Sequence, residues 1–239
     1  MLFDISNAVI ETLNDELFLQ KQVSLSVLRL DKIHPVVSGN KLFKLHYFLD
    51  EAARSSHKTI LSFGGAYSNH LAATAFACKA LHLKSIGIVR GEQPAHLSPT
   101  LQQCMNDGMQ LKFISRQRFA EKESGTFTNS LLHESGDCII VPEGGYHPSG
   151  ANGAALIMSI PGCRNYSHIC TATGTGTTLA GLLMAAAVSQ TIVGLPVLKG
   201  MTDMEERIKY LTGNKAPFKN LQLVTDYHFG KKKKKTEAL

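Results

Sequence analysis

The chain has 239 residues and a mass of 26.0 kDa, enough for one large domain or two small ones around a sizeable core. With 44% hydrophobic and 18% charged residues it reads as a compact chain, not a disordered one, and no uncharged apolar run is long enough to span a bilayer. The net charge of +6 hints at nucleic acid, but Lys231 to Lys235 carry five of those charges and leave +1 on the rest. A lysine run of this kind is a solvated tail, and no basic-aromatic stripe accompanies it, so neither a nucleic-acid nor a membrane partner is expected.

Met1-Leu2-Phe3-Asp4 carries an early acid and no basic segment followed by an apolar one, which speaks against a secretory signal. Cys78, Cys104, Cys138, Cys163 and Cys170 are odd in number and lack CxxC spacing. Free thiols in a reducing cytosol are expected, hence a cytoplasmic protein. The ten histidines show no HxxxH spacing, so no metal site is expected.

In chain order, Leu25 to Leu30 alternates as a strand. Asn40 to Arg54 reads as a helix with Leu42, Leu45, Phe48, Leu49 and Ala52 on one side. Thr59 to Phe63 is a short apolar strand ending at Gly64-Gly65, followed by an Ala-rich helix from Ser68 to Leu81. Ser85 to Val89 is a strand, and Leu97 to Asp107 a helix with Ser98 as N-cap and Gly108 past its end. Leu111 to Ser115 and Cys138 to Val141 are strands, with a polar helical stretch between them. Gly153 to Ile160 is helical, Ser167 to Thr173 a strand and Thr178 to Ser189 an apolar helix. Thr191 to Leu198, Asp203 to Leu211 and Leu221 to Tyr227 give strand, helix and strand. This alternation predicts an α/β protein with mainly parallel sheets, whose ligands sit at the carboxyl ends of strands.

Four segments fall where such sheets keep ligands: Ser38-Gly39-Asn40-Lys41, Phe63 to His70, Pro142-Glu143-Gly144-Gly145 and Thr173 to Thr178. In the last, glycines let the backbone approach a ligand at a helix N-terminus and threonine hydroxyls add donors; a phosphate cradle and a plain tight turn both fit. It is neither a Walker loop nor a dinucleotide fingerprint. Lys41 reads as a surface lysine or as an amine whose charge the helix terminus disfavours, the form that attacks a carbonyl. Ser68-Asn69 reads as a helix cap or a site. For His70 an ordinary packed or capping histidine is the default.

Taken in order, the segments resemble the 1-aminocyclopropane-1-carboxylate deaminase and D-cysteine desulfhydrase family, pyridoxal-phosphate enzymes of the tryptophan-synthase-β fold type. The matching pieces are Ser38-Gly39-Asn40-Lys41-Leu42-Phe43-Lys44-Leu45, Gly64-Gly65-Ala66-Tyr67-Ser68-Asn69-His70, Pro142-Glu143-Gly144-Gly145 and Gly174-Thr175-Gly176-Thr177-Thr178-Leu179-Ala180-Gly181. The likeness runs from about Leu25 to Gly230. It implies that Lys41 holds the cofactor as a Schiff base, that Asn69 bonds the ring hydroxyl, and that Gly174, Thr175, Gly176, Thr177 and Thr178 hold the phosphate. Ser68 would contact the substrate carboxylate and be catalytic, with Asn69 and His70 also binding substrate. It also implies two three-layer αβα domains: a cofactor domain of residues 1–43 and 153–239, and a smaller inserted domain of 44–152. A homodimer is implied as well.

The implied activity is a lyase or hydrolytic deaminase on a small amino acid. D-cysteine would give pyruvate, sulfide and ammonia; the cyclopropane acid would give 2-oxobutanoate and ammonia. Family members continue past His-Phe-Gly with groups for the substrate and the pyridine nitrogen, whereas His228-Phe229-Gly230 here runs into Lys231 to Lys235 and stops at Leu239. A truncated, inactive cofactor-binding homologue, with an exposed and poorly ordered end from Lys231, is therefore an alternative expectation. A nucleotide-binding module built on the Gly/Thr loop is another.

Overall fold

The computed structural model describes residues 4–34, 37, 39–197, 200–214 and 218–226. Ser38, His228-Phe229-Gly230 and the lysine run lie outside them. The chain divides into two compact units, Met1–Leu42 with Phe48–Glu143, and Phe43–Tyr47 with Gly144–Leu239. The boundaries expected from the sequence fall at 43/44 and 152/153.

The first unit opens with an antiparallel pair, β1 (Val9–Leu13) and β2 (Leu25–Arg29), in register Val9 to Arg29. Between them lies a short helix, α1 (Glu16–Gln20), whose N-cap Asp15 accepts a bond from the Leu17 amide at 2.8 Å. The sequence reading contains β2 but neither β1 nor α1. Both are five residues long and bury no side chain fully, so they leave little periodicity to read.

Helix α2 (Lys41–Arg54) follows. Its predicted apolar side is the buried one, with Leu42, Leu45, Phe48, Leu49 and Ala52 each at 5% exposure or less. The main sheet of the unit comprises β3 (Thr59–Gly64), β4 (Lys84–Arg90), β5 (Met109–Ile114) and β6 (Ile139–Val141), all parallel in the order β5-β4-β3-β6. Alternation along the strands feeds two cores. Leu61, Phe63, Ile86 and Ile88 pack with Phe119 and Phe127 of helices α5 (Arg116–Ala120) and α6 (Gly125–Ser135). Val89 and Met109 pack with Leu71 and Leu101 of helices α3 (Asn69–Ala80) and α4 (Pro99–Asn106). A sheet covered on both faces explains why its strands read as near-continuous apolar runs. Each fully buried Leu, Ile or Phe contributes about 1.5–3 kcal/mol. Ser98 caps α4 as expected, accepting from the Leu101 amide at 3.2 Å, and Gly108 takes φ +86° beyond its end.

The second unit holds α7 (Pro148–Ala155), β7 (His168–Thr173), α8 (Thr177–Ala185), β8 (Thr191–Pro196), α9 (Met204–Leu211) and β9 (Leu221–Leu223), its strands parallel in the order β7-β8-β9. Helix α7 begins five residues before the expected Gly153, because His147 Nδ1 caps it through the Ser149 amide at 3.1 Å with Pro148 in its first turn. Strand β9 stops at Leu223, short of the expected extent. Helices α7 and α8 cross closely: a Cβ on Gly181 would stand 2.5 Å from the Ala151 carbonyl oxygen, so only glycine fits.

The architecture is α/β with parallel sheets. No helix among the described residues is long and apolar enough to cross a membrane. All five cysteines are free and only Cys170 is exposed. Burial pushes the Cys78 thiol up to about 12, so it is no nucleophile.

Candidate active site

In the four-stranded sheet the chain steps outward from β3 to β4 to β5, then returns to place β6 on the other side of β3. The switch point therefore lies between β3 and β6, which the Ser62 hydroxyl ties together by donating to the Val141 carbonyl at 2.9 Å. Ligands in such sheets bind beyond the carboxyl ends of these two strands. The segments leaving those ends are Gly64 to His70 and Pro142 to Gly145, two of the four picked out in the sequence.

Lys41 is the first residue of α2, entered through a turn in which the Gly39 amide donates to the Leu30 carbonyl at 3.2 Å. Its Nζ donates to Asn40 Oδ1 at 2.7 Å. Burial lowers its pKa from the ordinary lysine value, and the first turn of a helix disfavours a cation further. Both effects make the ammonium form less favourable than in an exposed lysine.

Ser68 has extended backbone, and its Oγ accepts from the Leu71 amide at 3.2 Å, so the capping role is observed. The hydroxyl also lies close to the end of β3, where a Cβ on Gly64 would stand 2.4 Å from it. The Ala66 carbonyl is fixed from outside by a hydrogen bond from the Ser98 hydroxyl. Asn69, at the start of α3, is exposed, and its side-chain amide makes no hydrogen bond among the described residues. His70 is buried at 4% exposure, and its carbonyl accepts from the Thr74 hydroxyl at 2.9 Å.

In the second unit the loop after β7 turns into α8 through Gly176, whose φ of +85° is left-handed. No side chain caps α8. Its first-turn amides lack intrahelical acceptors and face outward as anion donors. Thr175 and Thr177 share a hydroxyl–hydroxyl bond of 2.9 Å, and Gly174 has open space where a Cβ would sit. Amides, hydroxyls and room suit a phosphate.

Lys44 received no role in the sequence reading. It is 6% exposed, and its Nζ donates to the Gly144 carbonyl at 3.2 Å. A Cβ on Gly144 would stand 2.9 Å from Thr175 Cγ2, and one on Gly145 would stand 3.1 Å from Lys44 Cβ. The Glu-Gly-Gly turn therefore sits between a buried ammonium and the Gly/Thr loop. A lysine three residues after Lys41, on the same helical side, was the available signal. Lys41 and Ser68 to His70 belong to the first unit; Lys44, Gly144, Gly145 and Gly174 to Thr178 belong to the second.

These donors fit pyridoxal phosphate: a depressed amine for its aldehyde, and uncapped amides with hydroxyls for its phosphate.

No protein-family model matches the chain. A Pyrococcus furiosus protein with the provisional name 1-aminocyclopropane-1-carboxylate deaminase is 30% identical over 211 residues, 81% of this chain and 64% of that protein. An Arabidopsis thaliana protein, the mitochondrial bifunctional D-cysteine desulfhydrase/1-aminocyclopropane-1-carboxylate deaminase, is 28% identical over 168 residues, 63% of this chain and 42% of that protein. The chain thus spans less than two thirds of these relatives. Among solved structures, one described as an ACC deaminase homologue matches with a TM-score of 0.75 at 22% identity, covering 96% of this chain and 72% of that one, and shows the shared fold. With the order of its four glycine-rich segments and its parallel α/β units, the chain is related to the 1-aminocyclopropane-1-carboxylate deaminase and D-cysteine desulfhydrase family, whose members depend on pyridoxal phosphate.

Proposed function

We propose that the chain binds pyridoxal phosphate and serves a deaminase or carbon–sulfur lyase acting on a small amino acid. With one water consumed in each case, D-cysteine would yield pyruvate, sulfide and ammonia, and 1-aminocyclopropane-1-carboxylate would yield 2-oxobutanoate and ammonia. The observation that carries this reading is Lys41, a half-buried amine of lowered pKa at the first residue of α2. When bound, the cofactor supplies an electron sink for charge developing at the substrate α-carbon. Lys41 anchors the cofactor and moves a proton at its Nζ: the α-proton for D-cysteine, and a ring-methylene proton for the cyclopropane acid, whose α-carbon bears no hydrogen. The α8 amides and the hydroxyls of Thr175, Thr177 and Thr178 hold the phosphate, with the Lys44 ammonium adding charge. Asn69 orients the ring, and Ser68 meets the substrate carboxylate beside His70.

The expected domain division is residues 1–43 with 153–239 for cofactor and 44–152 inserted, in a homodimer. Five free thiols suit a reducing compartment, and the cytosol is our assignment.

The test is borohydride reduction of cofactor-loaded protein followed by peptide mapping. Label on Lys41 is expected. Label on Lys44 or elsewhere sinks the assignment. Sulfide release from D-cysteine then separates a turning-over enzyme from a chain that only binds cofactor.

A further inference from the structure

At the carboxyl edge of β3, β4 and β5, entirely within the first unit, lies a cavity of about 540 Å³. Its walls include Ala66, Arg90, Glu92, Pro94, Phe113 and Arg116. The strand register puts Val89 beside Phe113 and Arg90 beside Ile114, so the apolar floor comes from one face of the sheet and Arg90 from the other.

Two cations line this cavity against one acid. Arg29, Arg54, Arg118 and Arg207 each have an acidic partner. Among the described residues Arg90, Arg116 and Arg164 form no ion pair, and the first two line the cavity. Arg90 is held in place all the same. Its guanidinium carbon lies 5.8 Å from the centre of the Phe119 ring, and one of its terminal nitrogens lies 3.5 Å from where a Cβ on Gly65 would be. Lys122 Nζ lies 5.2 Å from the centre of the same ring, adding a third positive charge nearby, paired with Glu143 at 3.6 Å. Two guanidiniums lining one cavity, one of them stacked on an aromatic ring and both exposed, together with apolar lining from Val89 and Phe113, form a setting that recognises a planar or tetrahedral oxyanion.

We propose that this cavity binds a small molecule through its carboxylate or phosphate oxyanion, with Arg90 and Arg116 as the ligands. Its lining residues include none of the Gly174 to Thr178 loop. It shares a wall, Ala66, with the segment that carries Ser68 and Asn69, so its occupant touches that segment. The inference does not depend on the cofactor reading, because the cavity needs no cofactor to form.

Calorimetric titration of the cofactor-free chain at low ionic strength, with malonate in one arm and inorganic phosphate in the other, tests it and tells the two oxyanion sources apart. Binding of at least one probe is expected. Arg116→Gln, at an exposed position, should weaken that binding by about tenfold or more while the protein still melts cooperatively. Glu92→Gln should tighten it by removing a like charge. Absence of heat with both probes, or unchanged affinity in Arg116→Gln, overturns the proposal; the second result would place any phosphate bound on another site, such as the α8 loop. Borohydride labelling of Lys41 reads the cofactor assignment independently.

Discussion

Lys44 Nζ donates to the Gly144 carbonyl oxygen at 3.2 Å across a sequence separation of 100 residues. This bond brings the helix that follows the Gly-Asn-Lys element onto the Glu-Gly-Gly turn, and that turn abuts Thr175 of the Gly/Thr loop. Burying an ammonium costs desolvation energy, and a phosphate held by the Gly/Thr loop, as proposed, would offset it.

Lys44→Met should therefore reduce cofactor retention. Met fills much the same volume, so packing around α2 is kept while the charge is lost. A loss of about one to two decades in affinity is expected for one charge-assisted bond. Absorbance remaining after exhaustive dialysis reads the effect, and retention equal to the parent protein would show that Lys44 is only a packing residue.

Thr177→Val and Thr178→Val remove hydroxyls and keep shape. Both residues are buried, at 0% and 9% exposure. Each change should weaken phosphate-dependent cofactor binding by roughly tenfold or more. Thr177→Val also breaks the bond to Thr175 and should cost about 0.5–1.5 kcal/mol of stability. Unchanged affinity in both variants would count against the loop.

Gly64→Ala should destabilise the first unit by about 1–3 kcal/mol. The added methyl would meet Ser68 Oγ at 2.4 Å and Ser68 Cβ at 2.6 Å. Ser68→Ala instead loses a helix cap, about 0.5–2 kcal/mol, and relieves part of that crowding. The double variant should accordingly be more stable than the sum of the single changes predicts, which a thermal double-mutant cycle measures. Additive losses would contradict the close approach.

Lys41 sets a pH dependence. Burial lowers its folded-state pKa below the unfolded value of 10.5. Between those two values the unfolded chain binds more protons, so the cost of holding the ammonium is fully present at lower pH. It disappears as pH rises toward the unfolded value. The stability of Lys41→Met relative to the parent should be greatest near neutral pH and should decline toward pH 10.5. Denaturant titrations of both proteins across that interval test it, and a difference that grows with pH would overturn the sign.

What could be read from the sequence was local. The apolar side of α2 follows from side chains three and four residues apart. The Ser98 cap and Gly108 stop follow from hydrogen bonding within one turn. The four glycine-rich segments, in order, carry the likeness to the family, and the roles proposed for Lys41 and the Gly/Thr loop rest on that likeness. Residues without a local signature went unseen. Val9–Leu13 is recognisable only through its partner strand, and α7 starts at Pro148 because His147 folds back to cap it. Lys44 looked like any helix lysine until the strand order carried Gly144 to its amine. Arg90 and Arg116, 26 positions apart, line one cavity because β4 and β5 pair in parallel register. Backbone propensity and capping act over a few residues, whereas the pairing of distant groups depends on which strands become neighbours, and that is settled by burial of the whole sheet.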